Sequence, residues 1–182
     1  MLPDIKSLSA SQLESLLVEK LAQPNFRLKQ VEQWLWQKGA SSFDDMTNIS
    51  KDLRTKLAEH YSLSVPTIDA KQVSLDGTRK YLMRFADGVA VESVGIPSSD
   101  GTRLTVCFST QAGCAMGCTF CATGWGDFTR NLHAGEMFDQ VRLVGEDFGT
   151  RVTNVVAMGQ GEPFANYEQT LSALRHMNSS LG

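Results

Sequence analysis

The chain has 182 residues, enough for one moderate domain or two small domains with a hydrophobic core. Its net charge of −3 lacks the basic excess that nucleic-acid-binding proteins usually show, and residues 91–182 contain no lysine. No apolar run is long enough to span a membrane, and the N-terminus lacks the basic start and apolar core of a secretory signal. We therefore expect a cytoplasmic protein with no membrane partner.

Residues 1–66 have the pattern of a helical domain. Ser9 and Gln12 have the spacing of a capping box at the start of one helix, and Ser50 is a predicted cap for another. Leucines recur at helical spacing after both caps. The helical pattern stops at Val65, which precedes a proline.

From Ile68 the apolar period changes to two, and we predict an antiparallel β meander over residues 67–102. Its first turn is predicted at Asp76-Gly77, and Asp87-Gly88 marks the second. Over residues 103–182 apolar strands alternate with amphipathic helices, the pattern of an α/β fold. Two βα units do not close a barrel, so we expect only the start of a TIM-like barrel and a truncated chain.

Three of the four cysteines lie within eight residues, in the stretch "GCAMGCTFCATG". Cys114, Cys118 and Cys121 are spaced as C-x3-C-x2-C, and Cys107 lies just before them. Structural zinc sites usually use four ligands in C-x2-C pairs, so zinc would need Cys107 or a histidine. An iron–sulfur cluster explains three cysteines better, because a [4Fe–4S] cube then keeps one iron open for an exogenous ligand.

This spacing, with an aromatic residue before the third cysteine, resembles the signature of radical S-adenosylmethionine (SAM) enzymes. Longer blocks resemble the RlmN/Cfr family of RNA adenine methyltransferases, and the similarity runs from about residue 10 to the end. The resembling blocks are "WLWQKGASSFDDMTNISKDLR", "DGTRKYLMRFADGVAVESVGIP", "TVCFSTQAGCAMGCTFCATGWGDFTRNLHAGEMFDQV" and "VVAMGQGEPFANYEQTLSAL". The segments "TRNL" and "GEP" resemble the RlmN form.

The resemblance implies two cofactors, a [4Fe–4S] cluster and SAM bound to its open iron. The cluster ligands would be Cys114, Cys118 and Cys121. Gly161 and Glu162, in "GQGEP", match the segment that receives the amino group of SAM, and Phe120 belongs to the same cofactor site. Gln160 stands where the family more usually has methionine.

The resemblance also assigns two catalytic residues. Glu92 matches the glutamate that accepts a proton from the substrate adenine, and Cys107 matches a second, non-ligand cysteine. In the family scheme a methylated cysteine near the C-terminus carries the methyl group to adenine, after a second SAM is cleaved reductively. No cysteine of this chain fits that carrier, so we expect it beyond residue 182 and expect no methyl transfer by the chain alone.

The implied activity is methylation of C2 of adenine 2503 in 23S ribosomal RNA and of adenine 37 in transfer RNA. The implied partners are these two RNAs and an electron donor such as flavodoxin, with the protein a monomer. Two alternatives stay open at this point. One is methylation of C8, as in Cfr-type enzymes, and the other is a non-catalytic remnant that binds RNA or a metal.

Overall fold

A computed structural model of the chain describes residues 2–179 and contains two compact units. The first unit contains residues up to Val65 together with those from Leu174 onward, and the second is Pro66–Ala173. The helices are α1 (Ala10–Glu14), α2 (Asn25–Glu32), α3 (Lys51–His60), α4 (Ala134–Phe148) and α5 (Tyr167–Met177). The strands are β1 (Thr67–Val73), β2 (Arg79–Arg84), β3 (Ala90–Pro97), β4 (Leu104–Cys107), β5 (Gln111–Ala112), β6 (Arg130–Asn131) and β7 (Asn154–Val156). Among the described residues, no helix is both long and apolar enough to cross a membrane.

The first unit is helical, and both predicted helix caps are confirmed. Ser9 and Gln12 form the reciprocal capping box of α1, and the Ser50 side chain caps α3. Helices α1 and α2 continue as π-helical segments over Ser15–Lys20 and Gln33–Gln37. The sequence did not predict these segments, because apolar spacing does not distinguish i→i+4 from i→i+5 hydrogen bonding.

The end of α5 packs within the first unit. The imidazole of His176 stacks on the indole of Trp36, with ring centroids 3.8 Å apart and planes 9° apart. Burial in this contact lowers the pKa of His176, because the charged form loses its hydration. The rest of the core of this unit is mainly aliphatic, and it includes Leu17, Val31, Leu35, Leu53 and Leu57.

The second unit is built on a five-stranded sheet of order β1-β2-β3-β4-β7. Strands β1 to β4 pair as antiparallel neighbours, and β4 and β7 are parallel. The predicted meander and both of its turns are confirmed, since backbone bonds close the turns at Gly77 and Gly88. Strand β3 pairs with β4 over Val94–Pro97, so the meander and the first barrel strand share one sheet. The α/β fold class is confirmed, whereas the domain boundaries stay predictions.

Helix α4 covers one face of this sheet. His133 caps its first turn, with Nδ1 accepting from the Glu136 amide at 3.3 Å, and Gly149 ends it in the left-handed conformation at φ 64°. The helix approaches β3 so closely that a Cβ on Gly95 would lie 2.5 Å from Phe148 Cε2 and 2.7 Å from Val144 Cγ1. Any larger residue at this position would require the side chains of Phe148 and Val144 to move.

The C-terminal turn of α4 is tied to the meander by the carboxylate of Asp147. It accepts hydrogen bonds from Lys71 Nζ at 2.8 Å, Arg79 Nη1 at 2.7 Å and Tyr81 Oη at 2.8 Å. Burial opposes the charge of Asp147, but these three donors outweigh it and lower its pKa to about 2. The contact therefore stabilises the packing of helix on sheet most strongly while Asp147 is ionised, because protonation removes the ion pairs with Lys71 and Arg79.

Gly95→Ala tests the close approach of α4. We expect the added methyl group to destabilise the chain by about 1–3 kcal/mol, because Phe148 and Val144 must move within a packed interface. Gly126→Ala is the matched control, since its Cβ would meet nothing nearer than the Thr123 carbonyl at 3.8 Å. Chemical denaturation of both variants measures the difference. Equal stabilities would show that the interface is looser than these distances require.

The Asp147 contact predicts an acid-sensitive stability. The folded pKa lies below the ordinary value of 3.8, so the contribution is complete above about pH 4 and is lost as the pH falls towards about 2. Asp147→Asn removes the titrating group, and we expect its free energy of unfolding to fall less steeply across this range. Urea unfolding at several pH values measures both slopes. Parallel slopes in wild type and variant would contradict the assignment.

Candidate functional site

The cysteine stretch forms a loop closed at its neck. Strand β5 pairs with β6, and the Thr129 amide donates to the Ala112 carbonyl at 2.8 Å. Between them, Gly113 has φ +74°, and a Cβ there would overlap the Asp127 carbonyl. The two ends of the loop are therefore held in contact, and Gly113 is required for conformation and space together.

Inside the loop the three predicted ligands are not brought together. Cys118 is exposed and Cys114 and Cys121 are half-buried, all as free thiols. Over residues 2–179 no group of three cysteine, histidine or acidic side chains is close enough to hold a metal ion. The loop would have to close around a cluster for all three to bind it. Their assignment as ligands stays a prediction.

The chemistry of the donor set nevertheless fits an iron–sulfur cluster. Three thiols lie on one accessible loop, and cluster irons bind thiolates. Hydrogen bonds from the backbone amides of Gly124 and Thr123 lower the pKa of Cys121, because they stabilise its thiolate. The Cys121 amide also donates to the Cys118 carbonyl at 3.1 Å, so these two residues already share a turn.

The predicted SAM-binding residues lie beside the neck of this loop. Strand β7 runs parallel to β4, and the chain after it returns so that both Thr110 and Gln111 donate their amides to the Gln160 carbonyl. Gly161 follows at φ +99°, and its Cβ would lie 2.6 Å from that of Gln111. Packing against Gln111 therefore accounts for the glycine without any ligand.

Glu162 is partly engaged in local structure. Its amide donates to Gln111 Oε1 at 2.8 Å, and its Oε1 accepts from the Phe164 amide at 2.9 Å, which caps the short 3₁₀ helix Pro163–Asn166. Its other oxygen accepts no hydrogen bond from the residues that the structure describes. One carboxylate oxygen thus stays available at the end of the parallel strands.

Glu92 lies on the face of the sheet opposite α4. The buried neighbours Val91 and Ser93 point towards the helix, and the half-exposed Glu92 points away from it. Its carboxylate pairs with Lys80 Nζ at 3.0 Å, and its carbonyl accepts from the Ser109 hydroxyl at 2.6 Å. An ordinary surface ion pair thus describes Glu92 as well as a catalytic role does, and that role stays a prediction.

Cys107 shares the face of Glu92. It pairs with Val94, two residues beyond Glu92 on β3, and paired residues point to the same side of a sheet. Burial raises the pKa of the Cys107 thiol, and a hydrogen bond from the Met158 amide only partly offsets this. The structure thus brings the two predicted catalytic residues onto one open face, with Cys107 as a thiol.

Several large apolar side chains are exposed around this end of the sheet. Phe120, a predicted cofactor residue, is 89% exposed on the cysteine loop, and Trp125 on the same loop is 79% exposed. Met158 and Phe164, which flank the Gly161–Glu162 segment, are also exposed. Sequence patterns did not single out these last three, because an apolar residue carries no local signal of exposure.

The sequence also missed a group of buried polar residues beneath the site. They are Ser93, Ser109, Gln111, Gln140 and Asn166. Asn166 Nδ2 donates to the carbonyls of Thr110 at 2.8 Å and Leu132 at 2.7 Å, and so joins the residues before and after the cysteine loop. No sequence motif marks these residues, since their partners lie far along the chain.

Comparison with known proteins identifies relatives of this chain. Residues 4–63 match the family model of the ribosomal RNA large subunit methyltransferase N-terminal domain. A protein of Nitratidesulfovibrio vulgaris named dual-specificity RNA methyltransferase RlmN is 46% identical over 188 residues, covering 98% of this chain and 52% of the relative. One of Synechocystis, named a probable dual-specificity RNA methyltransferase RlmN, is 52% identical over 165 residues, covering 91% of this chain and 46% of the relative.

The fold has a counterpart among solved structures. A crystal structure of a radical SAM methyltransferase from Sphaerobacter thermophilus superposes with a TM-score of 0.82 at 38% identity, covering 99% of this chain and 53% of that one. The chain thus spans about half the length of the relatives it matches. Similarity of sequence and of fold extends over nearly the whole chain, which confirms the resemblance read from its motifs: the chain is similar to about half of the length of RlmN-type RNA methyltransferases.

Proposed function

We propose that this chain is the cluster-binding and SAM-binding portion of an RlmN-type enzyme that methylates C2 of adenine 2503 in 23S ribosomal RNA and of adenine 37 in transfer RNA. One observation carries the proposal. The cysteine loop after β4 and the Gly161–Glu162 segment after β7 meet at the carboxyl end of two parallel strands. Ligands of α/β folds bind at such an edge.

The cofactors are assigned to residues by their chemistry. Cys114, Cys118 and Cys121 would hold a [4Fe–4S] cluster and leave one iron for the amino and carboxylate groups of SAM. When bound, the cluster would supply the electron for reductive cleavage of SAM. The free oxygen of Glu162 would accept a hydrogen bond from the amino group of SAM. Phe120, exposed beside Cys121, would contact the same cofactor.

The open face of the sheet would carry the catalytic side chains. The Glu92 carboxylate would accept the proton that adenine loses, after exchanging its partner Lys80 for the substrate. The Cys107 thiol, two positions along the same face, would resolve the bond between methyl carrier and base. The RNA substrates, an electron donor such as flavodoxin and the monomeric state belong to this proposal.

Iron analysis of cysteine variants tests the cofactor. We expect about four irons per chain after anaerobic reconstitution, and a brown protein. Cys118→Ser should lose most of this iron because it removes one of three ligands. Cys107→Ser is the matched control and should keep its iron, since Cys107 lies on the sheet and outside the loop. Equal losses in both variants, or a colourless zinc-containing protein, would contradict the assignment.

The reaction is tested in a chimera that joins this chain to the remaining half of the Nitratidesulfovibrio vulgaris relative. We expect 2-methyladenosine in 23S ribosomal RNA incubated with the chimera, SAM and a reductant, detected by mass spectrometry of the digested RNA. Cys118→Ser in the chimera should give none. A chimera that holds four irons and yet makes no methyladenosine, or makes only 8-methyladenosine, would refute the proposed reaction.

A further inference from the structure

A buried hydroxyl joins the two parts of the proposed site. Ser109 lies two residues beyond β4 and is fully buried. Its Oγ donates to the Glu92 carbonyl at 2.6 Å and accepts from the Gln160 amide at 2.9 Å. One atom therefore connects the strand that carries the predicted proton acceptor with the loop that leads to Gly161 and Glu162.

The fit around this hydroxyl leaves little freedom. A Cβ on Gly159 would lie 2.7 Å from Ser109 Oγ and 2.8 Å from the Phe108 carbonyl oxygen. The Gly159 amide donates to that same carbonyl at 3.0 Å. The loop after β7 therefore rests directly on the backbone around Ser109, and the position of one determines that of the other.

Helix α4 fixes the backbone of Ser109 through Gln140. Gln140 Oε1 accepts from the Ser109 amide at 2.9 Å, and Gln140 Nε2 donates to the Ser109 carbonyl at 3.1 Å. Both polar groups of the Ser109 backbone are thus satisfied by one carboxamide that is itself fully buried. Since buried polar groups are costly to leave unpaired, this arrangement strongly resists displacement.

Gln111 holds the other end of the loop. Its Oε1 accepts from the Glu162 amide at 2.8 Å, and its Nε2 donates to Asn131 Oδ1 at 2.7 Å. Two buried side chains that precede the cysteine loop thus bind successive parts of the Gln160–Glu162 segment. This segment belongs to no helix or strand, so these two side chains hold it together with the backbone bonds that the Gln160 carbonyl accepts from Thr110 and Gln111.

We propose that Ser109 is a positioning residue that holds the Gln160–Glu162 segment at the distance and orientation needed to bind SAM beside Glu92. The inference rests on the proposed function, because the ligand is SAM. Ser109 itself need not touch SAM, since it is covered by the loop it supports. Its removal should weaken SAM binding without affecting the cysteines.

Ser109→Ala tests this role, with Ser93→Ala as the matched control. Ser93 is buried in the same network and donates to Gln140 Oε1 at 2.7 Å, but it makes no hydrogen bond to the Gln160–Glu162 segment. Both variants lose one buried serine hydroxyl, so a general loss of stability affects both. Only Ser109→Ala leaves the Gln160 amide without its acceptor.

Two readouts are measured on the reconstituted chain, with its iron content as a check. In Ser109→Ala we expect hydrogen exchange of the Gln160 amide to accelerate about tenfold and the dissociation constant for SAM to rise about tenfold, at unchanged iron content. The SAM titration follows the change in the electron paramagnetic resonance spectrum of the reduced cluster. Ser93→Ala should change both quantities by less than about twofold.

The outcomes separate this inference from the function on which it rests. Wild-type SAM affinity in Ser109→Ala, or an equal loss of affinity in Ser93→Ala, overturns the positioning role and leaves the proposed function intact. If the wild-type chain binds four irons but not SAM, the proposed function fails, and the positioning role fails with it. Hydrogen exchange of the Gln160 amide at the wild-type rate in Ser109→Ala would also overturn the role. The Ser109 hydroxyl would then not be the group that protects this amide.

Discussion

The carboxamide of Gln140 is the contact on which the arrangement of the second unit depends. It lies fully buried on α4, and both of its polar atoms are satisfied twice. Strand β3 supplies one partner through Ser93, and the chain beyond β4 supplies two through Ser109. Hydrogen bonds are directional, so α4 satisfies all of them in one rotation and translation against the sheet. Apolar packing beside Gly95 alone would allow more than one position of α4 on the sheet.

This constraint on the covered face determines the geometry of the open face. Ser109 marks the point where the chain leaves β4 towards the cysteine loop, and it also carries the loop after β7. Glu92 and Cys107 lie on the opposite side of the same strands, so their positions follow from the strand register. The side chains proposed to do chemistry are therefore placed by a network that has no access to substrate.

The sequence predicted the features that depend on residues near one another in the chain, and it missed the contacts between residues far apart in the chain. The capping box of α1, the Ser50 cap of α3, the turns at Asp76 and Asp87 and the alternation of the meander depend on residues a few positions apart, and all were confirmed. The cysteine spacing indicated a radical SAM enzyme because it is a compact motif, and the longer blocks around it indicated the resemblance to the RlmN/Cfr family. Ser109 could not be recognised, since its partner Gln140 lies 31 positions away and Gln160 lies 51. A buried serine and an exposed one look alike until the topology brings their partners together.

The cysteine loop has a motif that is recognisable in the sequence, although its three thiols lie apart in the described part of the structure. Its neck is fixed by protein contacts alone, since β5 pairs with β6 and Asn166 joins the segments on either side. The thiols within it have no protein contacts that would hold three like groups together, and three thiolates would repel one another. A cationic cluster would supply the attraction, so we expect convergence of the three thiols to be coupled to cluster binding. Because the neck already closes the loop, a bound cluster would have to order only the residues between its ends, which would lower the conformational entropy lost on binding.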